Sequence, residues 1–472
     1  MPSKTIKEIQ DLILKGNANC ENVVKHYLSS INEQKHLNAF IEVFEEEAIE
    51  RAKEIDLKIN EGKAGKLAGV VVGIKDVLCY KDHSITCGSG ILKGFKSLYT
   101  ATAVQKLIDE DAIIIGILNC DEFAMGSSNE TSVYGPTLNA IDNKRVPGGS
   151  SGGSAVAVQA GLCTVSLGTD TGGSVRQPAG FCKVWGFKPT YSRISRYGLA
   201  SYASSFDCIG TFTNCAEDAA LLLEIMAGED DKDSTSSSSK KESYELEEEQ
   251  SKTYKVAYLA EALNHEGLSP QVRNVFQDTL SKLEEAGNQV EEIEFDLLPY
   301  LLPTYYILTT AEASSNLSRY DGVRFGHRSD HAENPEILYK KSRTEGFGPE
   351  VQKRIMLGTF VLSADYFDAY YVKALKARKL IRNKTLEILK KYDFIITPTA
   401  PTEPFKLGEK NKDQMAMYLG DIFTVQASLC GLPSLNIPFS NKDSGLPVGV
   451  QITGKPFNEK ELLQAGNFFS KL

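Results

Sequence analysis

The chain has 472 residues, enough for one large domain or two to three ordinary ones, so a buried catalytic site has ample core to support it. A formal net charge of −10 at pH 7 argues against a chain that grips nucleic acid on its own, because such affinity rests on Lys and Arg neutralising phosphates. Nine cysteines between Cys20 and Cys430 form no C-x-x-C pair and no zinc spacing, which predicts buried free thiols in a reducing cytoplasm.

The N-terminus, "MPSKTIKEIQDLILKG", reads as a short amphipathic helix and lacks the apolar stretch of a secretory signal. Residues 38–60 carry apolar positions at helical spacing and lead through the loop "NEGKAGKLAG" into "GVVVGIKDV" (69–77), a β-branched buried strand. Helix-like "TAVQKLIDED" follows, then a second strand, "AIIIGIL" (112–118), far too short to span a bilayer. This alternation predicts an α/β layer with helices over a mostly parallel or mixed sheet.

Further along, 228–252 is a polar run of Ser and charge that predicts an exposed insert. "YKVAYLAEA" reads as a strand, "SPQVRNVFQDTLSKLEEAG" as a helix opened by Ser-Pro, and "NQVEEIEFD" as another strand. A long helical region at 349–392, strands near 434 and 448 and a helix near 457 complete the pattern. With no clean linker, a single domain over 1–472 is expected, in the cytoplasm and without membrane contact.

The stretch 146–180, "VPGGSSGGSAVAVQAGLCTVSLGTDTGGSVRQPAG", raises the question of a nucleophile. Gly148 to Gly152 reads G-x-S-x-G, but polar, turn-forming residues precede Ser150 where a nucleophile elbow needs a strand, and none of His265, His327 and His331 stands out as a base. A phosphate loop fails too, for lack of Lys-Ser/Thr after the last glycine. Ser174 fits better: "LCTVSLG" reads as a buried strand, "TDTGG" as a tight loop, and Gly172 and Gly173 just before the serine let consecutive N–H groups converge, as an oxyanion hole demands.

A serine nucleophile needs a base, and a lysine serves when burial strips its proton. Lys75 inside "GVVVGIKDV" is the candidate. From the residues alone a second reading stays open, a strand-end lysine whose ammonium reaches water.

"GIKD", "PGGSSGGSAVAVQAG" and "SLGTDTGGSVRQPAGFCKVWGFKPTYSRISRYGLASYASSFD" together resemble the amidase signature family. The resemblance implies its fold, a large mixed sheet covered by helices on both faces, with N-terminal helices at about 1–65 and the signature core at about 66–215. It implies a Ser-cisSer-Lys triad of Ser174, Ser150 and Lys75, in which Ser150 relays a proton to the lysine and N–H groups of Thr171, Gly172 and Gly173 hold the oxyanion.

Segments 303–329, 345–371 and 417–438 are similar to the A-subunit family of bacterial glutamyl-tRNA(Gln)/aspartyl-tRNA(Asn) amidotransferases. That likeness implies a glutaminase that passes ammonia to a partner B subunit, where misacylated tRNA is amidated with ATP and Mg, while a C subunit ties the two together. The substrate would be held by Arg354 on the α-carboxylate and Asp421 on the α-ammonium, with Tyr305 alongside, and no cofactor is implied for this chain. Read locally, Arg354 and Glu350 are also an ordinary i,i+4 ion pair. A stand-alone amidase of the same family is the alternative, which would have no reason to place Arg354 and Asp421 in one pocket. Trp185, Cys208, Thr211 and the insert at 234–251 depart from the family pattern, none at a catalytic position.

Overall fold

Strand and helix signals resolve, in a computed structural model, into one eleven-stranded sheet among the described residues, which are 4–239, 243–247, 252–331, 333–410 and 414–472. The strands are β1 (Phe40–Val43), β2 (Val71–Lys75), β3 (Ile113–Leu118), β4 (Val165–Asp170), β5 (Trp185–Lys188), β6 (Cys208–Thr213), β7 (Lys255–Leu259), β8 (Gln289–Ile293), β9 (Phe394–Pro398), β10 (Ser434–Ser440) and β11 (Pro447–Thr453). They lie in the order β1-β3-β2-β4-β6-β5-β10-β11-β9-β7-β8. β2 runs parallel to β3 and β4, and β7 to β8 and β9, while the remaining neighbours pair antiparallel, so the sheet is mixed.

Helices bury both faces, which explains why β2 and β3 are apolar throughout instead of alternating with polar residues. Val70, Val72, Ile74 and Ile114 enter one hydrophobic core, and Val71, Ile113 and Ile115 enter the other. Burying each such side chain contributes about 2 kcal/mol, so a charged residue inside these runs must find polar partners. Lys75 is that residue.

Three expectations change. Residues 38–60 are not helical from their start: Phe40–Val43 forms edge strand β1 against β3, and the helix runs Glu45–Asn60, with three glutamates in its first turn where the helix dipole favours negative charge. The region 349–392 is two helices, Pro349–Val361 and Lys373–Lys391, with a break and a wider helical turn, Phe367–Val372, between them.

The insert is not simply exposed, because Asp233 and Tyr244 are buried. Tyr244 hydrogen-bonds the Arg193 guanidinium, which also sits 5.5 Å from its ring centroid. The rest of the inserted run at 240–242 and 248–251 lies outside the described residues. Eight of the nine cysteines are buried and Cys215 is partly so, all as free thiols. Among the described residues no helix is long and apolar enough to cross a membrane.

Candidate active site

The parallel strands β2, β3 and β4 end side by side, and the residues just past their carboxyl ends form the site, the usual place for one in an α/β sheet. Lys75 is the last residue of β2. By the strand's two-residue alternation it shares a face with Val71 and Gly73, the face covered by the helix Gly152–Gln159. Its Nζ is thereby aimed at the loop before that helix.

Lys75 is fully buried, and its Nζ lies 2.8 Å from Ser150 Oγ, 2.9 Å from Ser151 Oγ and 2.9 Å from Thr169 Oγ1. The Ser151 hydroxyl donates to the Thr169 carbonyl at 3.2 Å, so toward Lys75 it only accepts. Burial pulls the lysine down to about 8, although Cys120, Asp121, Asp207 and Asp170 all pull the other way. The Gly149–Ser150 peptide is cis. Its loop is held on both sides: the Asp121 N–H donates to the Ser150 carbonyl at 3.0 Å, and the Gly149 N–H to Gln177 Oε1 at 2.9 Å.

Ser174 follows β4 after the turn Thr171-Gly172-Gly173 and stands just before the helix Arg176–Cys182. Asp170 shapes this turn. Arg176 grips its carboxylate with Nε and Nη2, both at 3.0 Å, while the Gly173 and Val175 N–H groups donate to it at 2.9 and 3.2 Å. Burial by itself would raise the Asp170 carboxyl, but the guanidinium overrides it and holds the group below the usual carboxylate range. Arg176 is itself fully buried and also donates to the Thr424 carbonyl and Gln451 Oε1.

One expectation is corrected here. Gly173 cannot offer its N–H to an oxyanion, because the Asp170 carboxylate already accepts it. Among the described residues the Thr171 and Gly172 N–H groups have no acceptor and remain available. The Ser174 hydroxyl, 8% exposed, likewise makes no hydrogen bond among the described residues. The Lys75–Ser150 link is therefore formed, while Ser150–Ser174 is not closed by a hydrogen bond in this structure.

A cavity of about 390 Å³, within the range of small-molecule pockets, is lined by Ser127, Ser128, Glu350, Arg354, Lys353 and Tyr418 among others. Arg354 comes from the helix Pro349–Val361 and is 4% exposed. Its Nε donates to Glu350 at 2.8 Å and its Nη1 to the Tyr202 hydroxyl at 3.0 Å. The i,i+4 pair read from the sequence exists, but it is buried at a cavity wall. Asp421 accepts from Ser127 Oγ at 2.9 and 3.1 Å and from the Tyr306 hydroxyl at 2.9 Å, and burial lifts its carboxyl to about 6.

Tyr305 is buried with its hydroxyl end over Gly172, where an added Cβ would collide with it. Its neighbour Tyr306, which the sequence reading passed over, touches both charged residues. It donates to Asp421, lies with its ring centroid 5.5 Å from the Arg354 guanidinium, and stacks at 4.1 Å on Tyr418. Asp170 in "TDTGG" reads from the sequence as a brace of the loop, and its carboxylate does accept from the Gly173 and Val175 N–H groups. Nothing in the local pattern marks Ser151 and Thr169 as partners of Lys75, or Arg176 as the partner of that brace. The unusual Cys208 is the sheet partner of Asp170 on β6, and Thr211 pairs with Leu167, both one strand behind the site. Trp185 on β5 lies a further strand away. Among the described residues no group of three His, Cys, Asp or Glu side chains is placed to hold a metal ion.

Comparison with known proteins agrees with this geometry. A family model described as Amidase matches residues 22–463. The chain is 48% identical over 466 residues to the A subunit of the glutamyl-tRNA(Gln) amidotransferase of Chlorobium luteolum, covering 98% of this chain and 96% of that one. Against the second such A subunit of Clostridium acetobutylicum it is 45% identical over 471 residues, covering 99% and 98%. A solved structure of the glutamyl-tRNA(Gln) amidotransferase A subunit from Thermotoga maritima superposes with a TM-score of 0.80 at 39% identity, over 98% of this chain and 93% of that one. The cis-serine loop, the buried lysine and the full-length match agree: the chain belongs to the amidase signature family.

Proposed function

We propose that this chain is the glutamine-hydrolysing A subunit of a tRNA-dependent amidotransferase, a single amidase domain in which Ser174 attacks the side-chain amide of glutamine. The observation that carries the reading is a buried Lys75 bonded to Ser150, together with a cavity that has Arg354 in its wall and whose wall residue Ser127 holds Asp421. A hydrolase for simple amides has no use for a guanidinium and a carboxylate gathered on one side chain, as Arg354 and Asp421 are on Tyr306, whereas a free amino acid presents α-carboxylate and α-ammonium groups to match them.

Neutral Lys75 has two N–H bonds and one lone pair. With Ser151 and Thr169 as acceptors for the N–H bonds, the lone pair faces the Ser150 hydroxyl. As Ser174 attacks, its proton passes to Ser150 while the Ser150 proton passes to Lys75. The oxyanion takes the Thr171 and Gly172 N–H groups, which Asp170 and Arg176 hold in place from behind. Return of the proton to the leaving nitrogen expels ammonia, and water then cleaves the γ-glutamyl ester to glutamate.

The relatives are named as one lettered component of an amidotransferase, which supports a multisubunit assembly. In this reading B and C subunits complete the enzyme in the cytoplasm, the misacylated tRNA is bound through B, and ATP and Mg act there, so this chain needs no cofactor of its own. Glu-tRNA(Gln) and Asp-tRNA(Asn) are both acceptors of the right chemistry.

The test is ammonia release from glutamine by the purified chain, alone and with cognate B and C subunits, ATP, Mg and misacylated tRNA, for wild type and Ser174→Ala. Serine-dependent release that partners stimulate, with amidated tRNA formed, is the expected result. Hydrolysis of simple amides without response to glutamine or partners would leave the triad standing and sink the amidotransferase reading.

A further inference from the structure

Glu122 takes no part in the chemistry above, yet it is only 3% exposed. It opens the short turn Glu122–Ala124 after β3, where Phe123 (φ 48°) and Ala124 (φ 59°) both adopt left-handed backbone that non-glycine residues rarely take. From this turn its carboxylate reaches a residue 226 positions away, accepting from the Gly348 N–H at 3.0 and 2.9 Å, and the Ser89 hydroxyl donates to the same group.

Gly348 is the N-cap of the helix Pro349–Val361 and has no side chain with which to cap it. A helix N-terminus gathers unpaired N–H groups and the positive end of the dipole, so a buried carboxylate there is both acceptor and counter-charge. The fit is close. A Cβ on Gly348 would fall inside contact distance of Glu122 Oε2, although the glycine's φ of −72° suits any residue.

The helix pinned in this way carries Glu350 and Arg354 to the cavity wall. On the other side, Asp121 donates its N–H to the Ser150 carbonyl, and Ser127 holds Asp421. A single short stretch, 121–127, therefore touches the cis-serine loop, the aspartate and the helix of the arginine.

We propose that Glu122 is a positioning residue for the amino-acid clamp: by fixing the N-terminus of the Arg354 helix to the stretch that also holds Ser150 and Asp421, it sets the span between the two charges that receive substrate. The inference rests on the glutaminase reading and adds a determinant of affinity that touches neither substrate nor nucleophile. Burial lifts the carboxyl to about 7, against the Ser89 hydroxyl and Gly348 N–H that favour its charged form. Glutamine in its place keeps the bulk, removes the charge, and turns an amide NH2 toward one of two donors.

The experiment is calorimetric titration of glutamine into the full-length Ser174→Ala chain with and without Glu122→Gln, alongside steady-state turnover of Glu122→Gln with Ser174 intact. The expected result is a Kd and KM for glutamine weakened about tenfold, with kcat changed far less. Gly348→Ala, which pushes on the same carboxylate, should show the same split. Combined with Glu122→Gln, it should cost less than the two singles added together, because both act on one contact.

Equal glutamine affinity in the parent and Glu122→Gln overturns the proposal. So does a matched fall in kcat for glutamine and for a simple aliphatic amide, which marks a general folding role. A parent chain that binds no glutamine at all overturns the glutaminase reading itself, and the clamp with it.

Discussion

In the function proposed above the site has a catalytic end and a clamp end, and the two are built in different ways. Lys75, Ser150, Ser151, Thr169, Asp170 and Arg176 come from strands β2 and β4, the cis-serine loop and the start of the helix Arg176–Cys182. Hydrogen bonds join Lys75 to Ser150, Ser151 and Thr169 and, next to them, Asp170 to Arg176, all buried. Arg354, Asp421, Tyr306 and Tyr418 come from three separate segments, and aromatic faces join them as much as hydrogen bonds do. The first end draws its members from residues 75 and 150–176, while the second brings together helices and a loop far apart in sequence. Chemistry and substrate choice should therefore fail separately.

The sharpest break is at Lys75. Lys75→Met should lower kcat by about a thousandfold or more, with little change in KM, read from initial rates of ammonia release. Its proton also sets the pH dependence. The base must be neutral, and burial brings it to about 8, so kcat/KM should climb with pH and level off above about 8. Asp421 near 6 is already charged across that climb and adds its own loss only as pH falls through about 6.

A smaller and opposite signature is expected at the clamp. Arg354→Ala should raise KM for glutamine about 100-fold, while hydrolysis of a simple amide, which lacks the α-carboxylate, stays close to its original rate. If both substrates suffer equally, the two ends are not separable and the contrast between them is wrong. Smallest is Tyr306→Phe, which removes one hydrogen bond to Asp421 but keeps the ring between Arg354 and Tyr418. KM should rise roughly fivefold to tenfold with kcat nearly constant, and the pH at which binding fails should move upward, because Asp421 loses a donor that favours its charged form.

The same contrast governs what the sequence discloses. β2, β3 and β4 are legible because continuous β-branched runs have few alternatives to a doubly covered strand, and Lys75 stands out as the charge inside one of them. Ser174 is legible from its glycines. That the Gly173 N–H is already engaged by Asp170 is not legible, since sequence marks the backbone's freedom to turn but not which acceptor it turns toward. Tyr305 and Tyr306 are adjacent aromatics on one helix, and only packing decides that the first covers Gly172 while the second meets Asp421. Phe40–Val43 misled for a related reason: four residues with helical spacing on one side are also four residues of an edge strand, and pairing with β3 decides between them.

The insert has a consequence for how the chain survives cutting. Before the serine run Ser236–Ser239, Asp233 is buried and accepts from the Arg196 N–H; after it, Tyr244 is buried against Arg193. A protease that severs the peptide between those two anchors leaves each new end moored to the same body. The nicked product should migrate as two fragments under denaturing conditions and as one particle in native buffer, with the hydrogen bonds between Lys75 and Ser150 and between Arg354 and Tyr202 still in place.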